Sequence, residues 1–229
     1  MFYFNPNYMI FVMLPALIIS GLAQMYLRGT YSTWKQRANS RHMNGRDTAQ
    51  ALMRQYGLNA SLYVVDQELG DHFDPRNQSV GMSRDIAMQP SVAAMAVAAH
   101  EFGHVQQYAQ NSPLIAARSF IMPVAQFGSQ GAFILIIAGL LMDFFALAFL
   151  GLILFGAAVL FSILTLPVEF DASRRALKML DGAGLLVTQD DHRGAQAVLR
   201  AAALTYVAGT AVAILNFAYY AILILGRRD

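Results

Sequence analysis

The chain has 229 residues, of which 56% are hydrophobic and only 13% charged, and its mean hydropathy is +0.42. Soluble domains carry about 25% charge, so this is the composition of a membrane protein with a modest water-soluble part. A net charge of +2 with no basic stripe excludes a nucleic-acid partner, and the lack of cysteine excludes disulfides and thiolate metal ligands.

The first apolar stretch, residues 8–27, contains no charge and follows an uncharged head, residues 1–7. It lacks the basic start of a cleavable signal peptide and has the ~20 residues a membrane helix needs, so a retained anchor is expected. Pro15 should kink it, which membrane helices tolerate. Residues 30–56 read as one helix with Gly57 as its stop. Ser61–Val65 is β-branched and aromatic, residues 70–78 are turn-rich, and Ser79–Ser83 follows as a second strand. The expectation is a short β-hairpin of these two strands. Its open edge could accept an extended peptide as a further strand, or the hairpin could be purely structural.

Pro90 and Ser91 then open a helix whose apolar approach, residues 92–99, leads into His100-Glu101-Phe102-Gly103-His104. On a helix, positions i and i+4 share a face, so His100 and His104 can offer two imidazole nitrogens to one metal while Glu101 reaches its open side. An exposed helix with two histidines is the plain alternative. Gln106, Gln107 and Gln110 make the helix polar after His104, and Asn111-Ser112-Pro113 ends it.

Residues 120–166 are apolar except for Asp143, too long for one span. A helical hairpin is expected, with arms at 121–141 and 144–166 and a turn at Met142-Asp143; Pro123, Gln126, Ser129 and Gln130 make the first arm's start polar. A last span runs over 205–225, closed by Gly226-Arg227-Arg228-Asp229. Fourteen of the sixteen basic residues fall in segments 28–120 and 167–204, and only Arg227 and Arg228 lie opposite. The positive-inside rule then puts both segments in the cytoplasm, and both termini and the Asp143 turn outside. One membrane-embedded domain, 1–229, with four spans and a catalytic unit shared by the two segments is the expected organisation.

A catalytic zinc has three protein ligands, and His-His-Glu is one such set. Only Glu68 and Glu169 remain as further glutamates. Glu169 follows the third span on the side of the motif and is the better candidate; Asp171 is the lesser one.

Four blocks carry a family resemblance: Asp71-His72-Phe73-Asp74-Pro75, residues 98–104, residues 166–173, and Thr205-Tyr206-Val207-Ala208. On these the chain resembles the YugP-type "putative neutral zinc metallopeptidases", small bacterial integral membrane proteins. More distantly it is similar to the HtpX and CAAX prenyl protease type, whose second motif is Glu-x-x-Ala-Asp. Glu169 and Ala172 match that motif, whereas Ser173 stands in place of its aspartate. A second carboxylate orienting a ligand histidine is then expected at Asp171.

The resemblance implies a mainly α, multi-pass membrane protein of the cell membrane with a small α+β, zincin-like catalytic unit. It also implies a gluzincin metalloendopeptidase holding one zinc ion on His100, His104 and Glu169, with Glu101 as general base. Tyr206, His192 and His72 are candidate donors to the oxyanion, with Tyr206 preferred, although an interfacial tyrosine needs no catalytic role. His192 in residues 189–193 could simply sit at a helix start capped by Asp190. The expected partners are the lipid bilayer and a polypeptide substrate, misfolded or membrane proteins among them. Two other readings compete. Leu180-Asp181-Gly182 could belong to an intramembrane site-2-type protease, but its basic and glycine neighbours read as a helix end. A zinc-stabilised, non-catalytic membrane scaffold would need a fourth protein ligand and no free base.

Overall fold

A computed structural model describes residues 6–226, apart from the side chains of 124 and 126–130. The head at residues 1–5, the closing Arg227 and Arg228, and the side chains of Gln126, Ser129 and Gln130 therefore lie outside the described residues. In chain order the elements are α1 (Pro6–Lys35), α2 (Gly45–Tyr56), β1 (Ser61–Val65), β2 (His72–Asp74), β3 (Ser79–Ser83), α3 (Arg84–Met88) and α4 (Val92–Ala109). Three long helices follow: α5 (Pro113–Leu141), α6 (Phe145–Gly182) and α7 (Gln189–Leu225). Helix dominates, and α1, α6 and α7 are long and apolar enough to cross a membrane. Within α5 the described apolar helix is the shorter Gly131–Leu141.

The chain divides into two compact units. The first comprises Met1–Gln24, Ala116–Pro167 and Thr205–Asp229. In it α1 opens with an α-helical turn, Pro6–Tyr8, and passes into a π-helical stretch, Met9–Met13, two residues before Pro15. A proline lacks an N–H and clashes with the carbonyl four residues earlier, and a widened turn is one way to relieve both. Helices α5 and α6 turn at Met142–Phe144, with Asp143 in the left-handed region at φ 52°. They pack backbone to backbone: a Cβ on Gly139 would overlap Ala148, and one on Gly151 would come within 2.7 Å of the Ala132 carbonyl. Small residues allow such approach where lipid supplies no hydrophobic drive between helices. Ile136, Leu140, Ala148, Leu152, Tyr220 and Ile224 form this unit's buried cluster.

The second unit comprises Met25–Ile115 and Val168–Leu204. The single helix expected over 30–56 is interrupted, because residues 36–44 leave the helix. Asn39, 1% exposed, spends its amide on the carbonyls of Met43 and Ser91, and its oxygen accepts from the Met43 N–H. Such side-chain bonds outcompete the helical ladder. Asn44 then caps α2 in a reciprocal box with Asp47, and Gly57 ends it at φ 62°.

The sheet also departs from expectation. Its order is β1-β3-β2, with β1 parallel to β3 (Ser61 opposite Ser79) and β2 antiparallel to β3 (His72 opposite Gly81). The hairpin is therefore β2–β3, not Ser61–Val65 with Ser79–Ser83. Parallel partners need a crossover of about a dozen residues, and residues 66–78 supply one while also yielding β2. Period-2 patterning marks strands but does not say which of them pair. Strand β3 is central and buried throughout, and the unit's core gathers Leu52, Val80, Met82, Ile86, Met95, Phe102, Met179 and Leu180.

Candidate metal centre

Helix α4 starts where the sequence says it should. Ser91 is its N-cap, accepting from the Ala94 N–H at 3.0 Å. Ala93, Ala94, Ala96, Ala98, Ala99 and Phe102 are fully buried and point in every direction around the axis, so the approach to the motif is sealed into the core on all sides. One turn apart on the stretch that follows, His100 and His104 share a face. Segment 168–182 of α6 packs on that face, and the two backbones touch: a methyl group on Gly103 would overlap the Ala172 carbonyl. That contact explains two motif positions at once. Gly103 lets α6 approach, and Ala172, fully buried, is the small residue that can be approached.

The approach brings Glu169 beside both histidines. Its Oε2 lies 3.3 Å from His100 Nε2 and 3.6 Å from His104 Nε2, and one donor atom from each residue falls within 4.8 Å of the others. The imidazoles meet edge to face at 4.9 Å. Glu169 is 3% exposed. Burial alone would raise its pKa, but the contacts with His100 and His104 hold it well below the usual carboxylate range. Burial likewise works to lower His104, yet the contact with Glu169 and the charges of Glu101 and Glu169 carry it above the ordinary imidazole value. An anionic carboxylate facing two imidazole nitrogens, with no thiolate in the chain, is a nitrogen and oxygen donor set suited to zinc.

The far nitrogens are also held. His104 Nδ1 lies 3.0 Å from Gln107 Oε1, and His100 Nδ1 lies 3.2 Å from Ser173 Oγ. Both Nε2 atoms are thereby turned toward Glu169. Ser173, the departure from the wider group's aspartate, thus occupies the place at which that motif would support a histidine. Asp171 touches neither histidine directly; it accepts from Gln107 and from Arg175. It is not among the clustered donors. Two residues after Glu169, it faces differently on the helix.

Glu101 is 6% exposed on the same helix. Its charge is felt by Asp71, the first residue of the Asp71-His72-Phe73-Asp74-Pro75 block. Asp71 Oδ1 accepts from the Ser83 N–H at 2.7 Å, and its pKa is pushed up to about 6, chiefly by burial, with the charge of Glu101 adding to it. A half-buried carboxylate in the turn before β2 leaves no periodic signature. Gln107 lies in the polar end of the helix, and its i+3 spacing from His104 is the signal in the sequence for their contact.

The remaining candidates are not among the clustered donors. His72 uses both ring nitrogens, toward the Gly70 carbonyl at 2.8 Å and the Tyr63 hydroxyl at 2.7 Å. His192 is exposed and lies 3.7 Å from Asp181 Oδ1. The helix start there is capped by Thr188 with Asp191 rather than by Asp190: each side chain accepts from the other's N–H. Asp181 of the Leu-Asp-Gly tripeptide is exposed at the end of α6, and the carboxylate beside His100 and His104 is Glu169. Tyr206 belongs to the first unit, on α7, and is 42% exposed.

No solved structure matches the chain. It is 34% identical over 221 residues to the "Putative membrane protease YugP" of Bacillus subtilis (strain 168), covering 96% of this chain and 98% of that protein. The sequence profile of the family described as "Putative neutral zinc metallopeptidase" matches residues 9–225. With a profile match across nearly its whole length, the chain belongs to the putative neutral zinc metallopeptidase family.

Proposed function

We propose that this protein is a membrane-bound zinc metalloendopeptidase in which His100, His104 and Glu169 hold one zinc ion and Glu101 is the general base. The observation that carries this reading is the convergence of three donor atoms within 4.8 Å, with both imidazole Nδ1 atoms engaged on the opposite side. Zinc bound there supplies Lewis acidity, lowering the pKa of water toward about 7 and polarising a carbonyl. Glu101 accepts the proton of the attacking water and passes it to the leaving amine. The buried faces of α4 and α6 fix the donors' spacing and limit water to the open side. Glu101, between two ligands on one helix turn, is the free base that a closed structural zinc site would not need.

The substrate is a polypeptide, taken in extended form along the sheet edge and drawn from misfolded or membrane proteins. Charge bias places the segments 28–120 and 167–204 in the cytoplasm and both termini outside. Because the chain has no cysteine, single introduced cysteines at Asp143 and Arg193 can be labelled in intact cells without background. Labelling of position 143 alone is expected, and labelling of position 193 alone would reverse the orientation.

The deciding experiment compares purified protein and Glu101→Gln for zinc content and for cleavage of an unfolded reporter. Equal zinc with activity only in the parent is expected. Equal activity in both would sink the enzymatic assignment and favour a zinc-stabilised scaffold.

A further inference from the structure

Resting on the assignment of His104 as a ligand, we infer that Gln107, Asp171 and Arg175 form a positioning relay that fixes the tautomer of His104 and couples the two ligand-bearing helices. The relay follows from which atoms can donate. Arg175 can only donate and ionised Asp171 can only accept. Arg175 Nε donates to Asp171 Oδ2 at 2.6 Å. The same oxygen accepts from Gln107 Nε2 at 2.8 Å, and the Val168 carbonyl accepts from that amide nitrogen at 2.9 Å.

With two pure acceptors in front of it, this end of the Gln107 amide must be the NH2 group. Its Oε1 is thereby committed to accepting, and its partner at 3.0 Å is His104 Nδ1. Nδ1 therefore carries the proton, and Nε2 keeps its lone pair for the metal. Gln107 is fully buried, so turning its amide over would face an NH2 group toward the His104 Nδ1–H and an oxygen toward two acceptors, leaving several buried groups unpaired.

Arg175 anchors the other end. It donates to Gln106 Oε1 at 3.1 Å and to Gln110 Oε1 at 2.5 Å, so all three glutamines that close α4 are engaged by residues of α6. Val168 and Asp171 flank Glu169. The segment that presents the carboxylate is thus the one that orients His104, and a shift of α6 along α4 would disturb both together. The relay uses an amide rather than a carboxylate against the histidine, with the carboxylate one bond further back and neutralised by Arg175.

The test uses full-length protein in detergent. Zinc affinity is measured by chelator competition for the parent, Gln107→Leu, Asp171→Ala and His104→Ala. In 15N-histidine-labelled, zinc-loaded protein, solvent exchange of the His104 Nδ1–H proton is followed by NMR. We expect Gln107→Leu to weaken zinc binding by about 10–100-fold, as outer-shell changes do, and Asp171→Ala by several-fold. Exchange of the Nδ1–H should accelerate in both, while protected backbone amides of α4 stay protected. Asp171 is only partly buried, so its variant reports even if Gln107→Leu does not fold. Zinc affinity within twofold of the parent and unchanged Nδ1–H exchange in the folded variants would overturn the relay. Failure of the underlying ligand assignment reads differently, because His104→Ala would then bind zinc as the parent does.

Discussion

His100 and His104 stand one turn apart on one helix and face one carboxylate, yet they are held in unlike ways. His100 Nδ1 meets the Ser173 hydroxyl at 3.2 Å, whereas His104 Nδ1 meets a buried amide at 3.0 Å that is locked by Asp171 and Val168. A hydroxyl rotates and can donate or accept, so it tolerates either tautomer of His100. The locked amide tolerates one. Support for an imidazole is therefore set by how constrained its partner is, not by whether a partner exists.

The largest expected effects come from removing what the two sides share. Glu169→Ala and His104→Ala should lose stoichiometric zinc and reduce proteolysis to background, read by metal analysis and reporter cleavage. Glu101→Gln should retain zinc and lose at least about 100-fold in rate, the usual scale for general-base catalysis; loss of zinc in this variant would recast Glu101 as a ligand.

Gly103→Ala tests the helix contact that both histidines depend on. A methyl group there must displace the Ala172 backbone, so a stability loss of about 1–3 kcal/mol and weaker zinc binding are expected. Unchanged melting would show that α4 and α6 need not touch.

Ser173 sharpens the contrast between the sides. Ser173→Ala removes one hydroxyl contact, worth about 1 kcal/mol, so zinc affinity should fall less than tenfold and less than in Gln107→Leu. Ser173→Asp restores the wider group's aspartate and should tighten the hold on His100. A larger effect at Ser173 than at Gln107 would invert the ranking of the two supports.

The last test concerns pH. Asp71 titrates at about 6 in the fold against an ordinary 3.8, so the folded state holds this proton more tightly. Its stabilising contribution is complete below about pH 4 and is lost as pH rises through about 6. Melting of zinc-free protein over that window, compared with Asp71→Asn, should show a shallower decline in the variant. The difference between the two isolates Asp71 from His104 and Glu169, and identical profiles would show that Asp71 is not buried beside Glu101.

Elements with local causes were legible. Ser91 as a cap, the end of α4 before Pro113, Gly57 as a stop and the turn at Met142-Asp143 all follow from side chains adjacent in sequence. The interruption at residues 36–44 was not, because Asn39 bonds to Ser91, fifty-two positions away. Strand partners were missed for the same reason: alternation shows which face is buried and is silent on pairing.

Residue order alone supplied the pair of histidines on one helix face, the glutamate between them, the apolar lengths and a donor set without sulfur, since each depends on spacing or composition. Packing alone decided that Glu169 rather than Asp171 stands against both imidazoles, that Ser173 and Gln107 take the far nitrogens, and that Gly103 exists for Ala172. Those are contacts between helices some seventy residues apart, where the close approach of two backbones selects which side chains can meet.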